Sequence, residues 1–400
     1  MDLRSPYPYW LLRHGIINSY PSLQQHHKTD IVIMGAGISG ALVAWELTLA
    51  GHMVTVIDRR HAGMGSTAAS TALLQYEIDT PLSQLSRLVG ETNAIKSYLL
   101  CRDAIYDFQK ICLSLKDDTL FNLKPSLQYA SFETHLTKLE KEFELRRKAG
   151  IKVQWLDRIA LASKFGLAKA GGILSADGAE ADAYKITHRL LSRCIDRGAV
   201  VFDNTEVLGI HHLKNGVQLE TSTGFKINAR KLVIACGYES QQYVPKQVQR
   251  LHSTFAIVSE PFELKDFWYK NALIWETRKP YLYLRTTHDK RILIGGKDSA
   301  TANADQRDRM LPRKARELEQ SFEELFPDIK LKTDFKWAGT FGSTKDGLPY
   351  IGSIPERPHT FFALGYGGNG ITFSVIAARM IRKMLEGTRD SDMEIFSFNR

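Results

Sequence analysis

The stretch DIVIMGAGISGALVAWELTLAGHMVTVID, Asp30 to Asp58, decides how the rest of the chain is read. IVIM is an apolar run of strand length, GAGISG a turn, ALVAWELTLAG a helical pattern and HMVTVID a second strand. Gly35, Gly37 and Gly40 therefore form a G-x-G-x-x-G that follows a strand and opens a helix, the context in which this pattern carries a mechanism. Gly35 allows the tight turn, Gly37 lets the backbone approach a pyrophosphate, and Gly40 lets the helix pack close on the strand. The helix start, with Ala36, Ile38 and Ser39, then offers free N–H groups and a dipole to the anion. Asp58, at the end of the second strand and followed by Arg59, is placed to accept hydrogen bonds from the adenosine ribose. Its charge repels a 2′-phosphate, which favours FAD or NAD over NADP.

Working outward, 400 residues at about 150 per domain predict two to three domains. With 44% hydrophobic and 24% charged residues, collagen, long disorder and a small disulfide scaffold are excluded. The formal charge of +9 is spread along the chain, which suits an anionic ligand better than a nucleic acid. Cys101, Cys112, Cys194 and Cys236 form no CxxC pair, so neither a metal site nor a disulfide framework is written here. No apolar run approaches the roughly 18 residues of a membrane span, and a soluble, cytoplasmic protein is expected.

Residues 1–29 have no clear period and read as an arm on the surface. From Pro81 to Gly150 the chain reads helical, interrupted by a strand at SLQYA. After Gly171 it turns loop-rich, then gives a helix at AYKITHRLLSRCIDRGA and short strands at VVFDNT, EVLGIHHL, GVQLETS and KLVIAC. Residues 249–298 read as further strands, including PYLYLR and RILIGG. Met310–Phe326 reads as a charged amphipathic helix, and Ile371–Glu386 as a last helix. Two glycine- or hydroxyl-rich loops remain: Gly63–Thr71, suited to running along phosphates and a ribityl chain, and Gly365-Tyr-Gly-Gly-Asn-Gly370, which begins the last helix and offers it to an electron-rich ring.

With these pieces in order, the chain resembles the D-amino acid oxidase family of FAD-dependent oxidoreductases, which includes glycine oxidase, sarcosine oxidase-like and γ-glutamylputrescine oxidase-like enzymes. The match is carried by the Asp30–Asp58 stretch, GSTAASTALL, KLVIACGYES at residues 231–240, WAGTFGSTKDGLPYIG at 337–352 and GYGGNGIT at 365–372; the opening YPYW resembles the N-terminal arm of the amine oxidases of this family. The resemblance implies an α/β fold, α+β overall. In it, a discontinuous Rossmann-like FAD-binding domain (1–90, 176–248 and 336–400) is interleaved with a mainly antiparallel-sheet substrate domain (91–175 and 249–335). It implies that Ser66, Thr67, Ser70, Thr71, Ala72 and Leu73 follow the cofactor towards the flavin. Val207, Ala235, Cys236 and Gly237 lie along the adenosine side, and Gly367, Gly368, Asn369, Gly370, Ile371 and Thr372 meet the ring. The implied chemistry is hydride transfer from an amine-bearing carbon to flavin N5, giving an imine that water hydrolyses, with oxygen or a quinone-type carrier as final acceptor.

The chain departs from the family where substrate is held. Phe341, Gly368 and Thr372 stand at positions where relatives carry cations that bind an amino-acid carboxylate. Two acids, Glu77 and Asp79, lie just beyond the GSTAASTALL loop and are candidates to attract an ammonium group. Tyr281, Tyr283 and Arg285 alternate in PYLYLR and share one face of a strand, where they are candidates to shape the substrate site. The family's cysteine linkage has no counterpart near the C-terminal motifs, and Ala69 stands where a histidine-linked relative carries its histidine, so noncovalent FAD is expected. The oxygen-activating lysine of sarcosine oxidases falls at Leu293, which tilts the expectation towards a dehydrogenase. Two other readings keep the flavin: a tRNA-base-modifying oxidoreductase, which needs a clustered basic face that the scattered charge does not supply, and a noncatalytic flavoprotein.

Overall fold

A computed structural model describes residues 1–118, 120–263, 267–388 and 390–400. The strand His27–Met34 lies at the centre of an eight-stranded sheet. It pairs in parallel with Val54–Ile57 on one side and Lys226–Ile234 on the other, with Ile33 opposite both Val56 and Val233. Val200–Phe202 and Thr360–Leu364 extend the parallel part, and the hairpin Val207–Leu213/Gly216–Thr221 continues it antiparallel. The parallel strands are apolar on both faces because both are covered. The helices Ile38–Leu49, Glu91–Ser114, Ala183–Ile195 and Gly370–Leu385 pack on one side, and Leu219, Ile227 and Phe362 fill the other.

The second sheet has nine strands, antiparallel except where Leu273–Glu276 runs parallel to Phe121–Tyr129. Its long edge pair, Arg250–Ser259 with Thr333–Ser343, packs against the helix Ala304–Leu325 through Phe255, Leu318 and Phe322. The expected α/β architecture of two interleaved sheets is therefore present.

Two local readings are corrected. Gly171–Ala181, expected as loop, is an eleven-residue strand deep in the second sheet. Its glycines exist for close packing: a Cβ on Gly178 would meet Lys124 O at 2.9 Å, and one on Gly172 would meet Gln128 O at the same distance. The N-terminal arm is not superficial. Tyr9 and Trp10, in the helix Tyr9–His14, are buried against Trp337 and Leu293. Leu73–Gln75 pairs with Gly178, Ala179 and Glu180 at one edge of the second sheet.

Candidate functional site

Where the chain leaves the central strand it must reverse quickly into a helix. Gly35 does this at φ +113°, and a Cβ there would lie 2.4 Å from Ala235 O. On Gly40 a Cβ would lie 1.7 Å from Gly35 O, so helix and turn meet with no room for any side chain. Gly37 caps the helix Ile38–Leu49, and the Ile38 N–H donates to Thr67 Oγ1 at 3.0 Å, tying the helix start to the Ser66–Ala69 turn. Asp58 accepts the Ala36 N–H at 2.8 Å and the Arg60 N–H at 2.9 Å. Desolvation pushes its carboxyl pKa up, and the two N–H donors act against this.

These groups open onto a cavity of about 310 Å³ that runs between the two sheets. At the Asp58 end it is lined by Gly35, Gly37, Ile38, Ser39, Arg59, Val207, Ala235, Cys236 and Gly237. Arg59 and Arg60 both pair there with Glu239, which is buried. Ser66, Thr67, Ser70, Thr71, Ala72 and Leu73 form the middle of the wall. Leu3 closes this stretch from outside: its carbonyl accepts from Thr340 N at 2.8 Å, and Ser5 N donates to Ala338 O at 2.9 Å.

At the far end stand Gly367, Gly368, Gly370 and Ile371 with Tyr238, Tyr281, Tyr283 and Phe341. Asp79 holds this end together. Its carboxylate accepts the Tyr281 hydroxyl at 2.8 Å and the Gly368 N–H at 2.9 Å. Tyr238 donates to Gly367 O at 3.2 Å. Asp298, which the sequence reading missed, also lines this end; its Oδ1 is buried with no hydrogen-bond partner among the described residues. Burial, and to a lesser extent Asp79, push its carboxyl up to about 6, against the Thr254 hydroxyl and Lys314. Burial likewise pushes the Tyr283 phenol up to about 12 and raises those of Tyr238 and Tyr281, so all three stay neutral.

Seven candidates do not line the cavity: Asp79, which lies behind the wall formed by Tyr281 and Gly368, and six others. Ala36 and Gly40 are packed beneath the turn and do not line the cavity. Asn369 turns away, donating to Gln75 O at 3.0 Å and Glu77 O at 2.9 Å, and Thr372 Oγ1 donates to Asn369 O at 2.9 Å. Glu77 is corrected as an ammonium site: its carboxylate faces the buried Arg146 at 3.6 Å, behind the cavity wall. Arg285 is also corrected. It shares the face of Tyr283, but Trp10 closes over it at 5.5 Å, and it is buried beside Glu180 at 3.7 Å and Ala181 O at 3.3 Å. Burial lowers its pKa.

The sequence model of the FAD dependent oxidoreductase family matches residues 30–384. The chain belongs to that family. This FAD-dependent oxidoreductase is 27% identical over 385 residues to glycine oxidase of Geobacillus kaustophilus, covering 94% of this chain and 97% of the relative. It is 23% identical over 394 residues to gamma-glutamylputrescine oxidoreductase of Escherichia coli, covering 92% of this chain and 86% of that one. The crystal structure of glycine oxidase from Geobacillus kaustophilus superposes with a TM-score of 0.76 at 22% identity, covering 94% of this chain and 99% of that chain, and so has the same fold. FAD is the cofactor of the family, and the cavity fits it: a glycine turn with no space for a Cβ and an acid at the strand end suit the dinucleotide, and a second glycine-lined end suits a flat ring.

Proposed function

We propose that this FAD-dependent oxidoreductase oxidises the C–N bond of an amine or amino acid. The observation that carries the reading is one continuous cavity that begins at Asp58 and the glycine turn and ends in a chamber of neutral phenols and the Asp298 carboxyl group. The relatives named glycine oxidase and gamma-glutamylputrescine oxidoreductase carry an amino acid and an amine in their names, which supports the substrate class. When bound, FAD supplies a two-electron hydride acceptor at N5.

In this reading Asp58 holds the adenosine ribose, and the N–H groups of Gly37 and Ser39 face the pyrophosphate. The Ser66–Leu73 segment would hold the linking chain, and Gly367, Gly368, Gly370 and Ile371 would hold the ring. Tyr281, Tyr283 and Phe341 orient the substrate and exclude water from it. The substrate carbon gives up a hydride and its nitrogen a proton, leaving an imine; water adds to the imine, producing a carbonyl compound and ammonia or a smaller amine. Oxygen or an electron carrier takes the two electrons onward. The four cysteines are free thiols, which supports a reducing, cytoplasmic setting; no helix among the described residues is long and apolar enough to cross a membrane.

The test is turnover of a panel of amines and amino acids with a dye as electron acceptor, with carbonyl product and released nitrogen measured against dye reduced. One carbonyl per two electrons is expected. Dye reduction without carbonyl, or no reduction by any member, overturns the reading.

A further inference from the structure

Three features of the chamber decide what charge it accepts. First, its cations are elsewhere. Among the described residues the arginines lining the cavity are Arg59 and Arg60, both at the Asp58 end and both held by Glu239. Lys279 is exposed and donates to the main-chain carbonyl of Asp79 at 2.8 Å. Lys314 lies behind Phe255, 5.8 Å from its ring centre, and pairs with Glu317 at 3.1 Å. His252 lies tilted against Phe341, ring centres 5.4 Å apart, and bonds Ser343 Oγ at 2.9 Å.

Second, the two acids at this end differ in place and in engagement. Asp79 lies behind the wall, committed to Tyr281 and Gly368, whereas Asp298 lines the cavity and its Oδ1 is buried without a hydrogen-bond partner among the described residues. A buried carboxylate oxygen with no donor is costly to leave so, and a bound cation repays the cost. Third, the walls are aromatic. Tyr281 and Tyr283 sit with ring centres 5.9 Å apart, and Phe341 lines the same cavity; such faces favour a cation and offer nothing to an anion.

Resting on the amine-oxidation reading, we propose that Asp298 is a specificity-determining residue: with Asp79 and the tyrosine walls it selects a cationic amine that bears no carboxylate. A glycine-like substrate would bring its carboxylate into a chamber lined by Asp298, with Asp79 behind the Tyr281 and Gly368 wall and, among the described residues, no unpaired cation, and like charges repel more strongly away from bulk water. Phe341 fits this reading, because an apolar ring there accommodates an alkyl stem.

The experiment uses the FAD-loaded protein and two probes. Tetramethylammonium, which has no N–H to lose, reads the cation site alone by its perturbation of the flavin absorbance. Anaerobic bleaching by 1,4-diaminobutane, compared with glycine, reads substrate preference. Tetramethylammonium is expected to bind more tightly as pH rises through about 6, where Asp298 ionises. Asp298→Asn is expected to weaken that binding at least tenfold at pH 8 and to flatten the pH profile, and Asp298→Glu to restore part of both. 1,4-Diaminobutane is expected to bleach the flavin at a concentration at least tenfold below glycine. Should Asp298→Asn fail to retain FAD, the wild-type pH profile and the probe preference still decide. Bleaching by glycine with no binding of tetramethylammonium overturns the inference and leaves the C–N oxidation reading standing. Binding of tetramethylammonium through Asp298 with no bleaching by any amine or amino acid overturns the C–N oxidation reading instead.

Discussion

At the scale of single residues, Gly40 and Asp58 make opposite kinds of demand. Gly40 is fixed by contact, since its Cα faces Gly35 O so closely that a Cβ would sit 1.7 Å away. Gly40→Ala must therefore push the helix off the turn, and purified Gly40→Ala protein is expected to carry less than a tenth of the wild-type FAD, measured by absorbance after denaturation. Asp58 is fixed by hydrogen bonding: Ala36 N and Arg60 N hold the carboxylate in place. Asp58→Ala removes charge-assisted bonds worth roughly 1.5–3 kcal/mol, so FAD affinity should fall on the order of 10- to 100-fold in a calorimetric titration of apoprotein. Both residues were legible in the sequence because the motif has a local mechanism, one strand, one turn and one helix. Asp298 was not. It sits in the strand Ile292–Ser299 with nothing in its neighbours to mark it, and its environment comes from Thr254, Asp79 and Lys314, which other elements of the chain supply. Glu77 and Arg285 were misplaced for the same reason. Their partners, Arg146 and Trp10, are supplied by tertiary contacts that no spacing encodes.

At the scale of elements, the helix Leu136–Lys148 does more than cover the second sheet. Glu142 reaches across to accept Leu82 N at 3.0 Å and Ser83 N at 2.7 Å, capping the helix Leu82–Val89 where the ring of Pro81 offers no acceptor. One turn on, Arg146 is fully buried between Glu77 and Glu142, each at 3.6 Å, and donates to Gln128 at 2.8 Å. Arg146→Met leaves two buried acids facing each other without their cation and is expected to cost about 3–5 kcal/mol in denaturant unfolding. Burial raises the Glu77 carboxyl from an ordinary 4.5 to about 7. Between those values the folded chain keeps a proton that the unfolded chain releases, so this group's contribution to stability declines as pH rises from 4.5 to 7. Glu77→Gln should flatten that slope, visible in unfolding midpoints taken across the window. The helices and parallel strands were readable from periodicity, whereas Gly171–Ala181 was not. Glycines chosen for close backbone approach look, in sequence, the same as glycines chosen for flexibility.

At the scale of the whole molecule, the two sheets meet around the cavity, and the N-terminal arm laces them together. Leu3 and Ser5 bond to the strand Thr333–Ser343, while Trp10 donates to Ser70 O at 2.7 Å and Trp337 to Ala69 O at 2.9 Å. The cofactor wall is thus tied to the second sheet from both sides. A ligand bound there stabilises both sheets at once, by about 2.7 kcal/mol at a free concentration 100 times its Kd. Thermal unfolding of apoprotein should accordingly shift upward with added FAD in a single transition; a rise confined to one of two separate transitions would show that the sheets unfold independently. The two-sheet architecture was readable because the motifs occur in a fixed order along the chain, but the arm's burial depends on aromatic packing that has no period.

The most direct test of the central claim is an anaerobic absorbance spectrum of the purified protein before and after addition of an amine. The account predicts a flavin band present at about one FAD per chain that is lost on adding a single equivalent of the productive amine and returns with an electron acceptor. A protein that takes up no FAD on reconstitution, or whose flavin band no amine or amino acid diminishes, would contradict it.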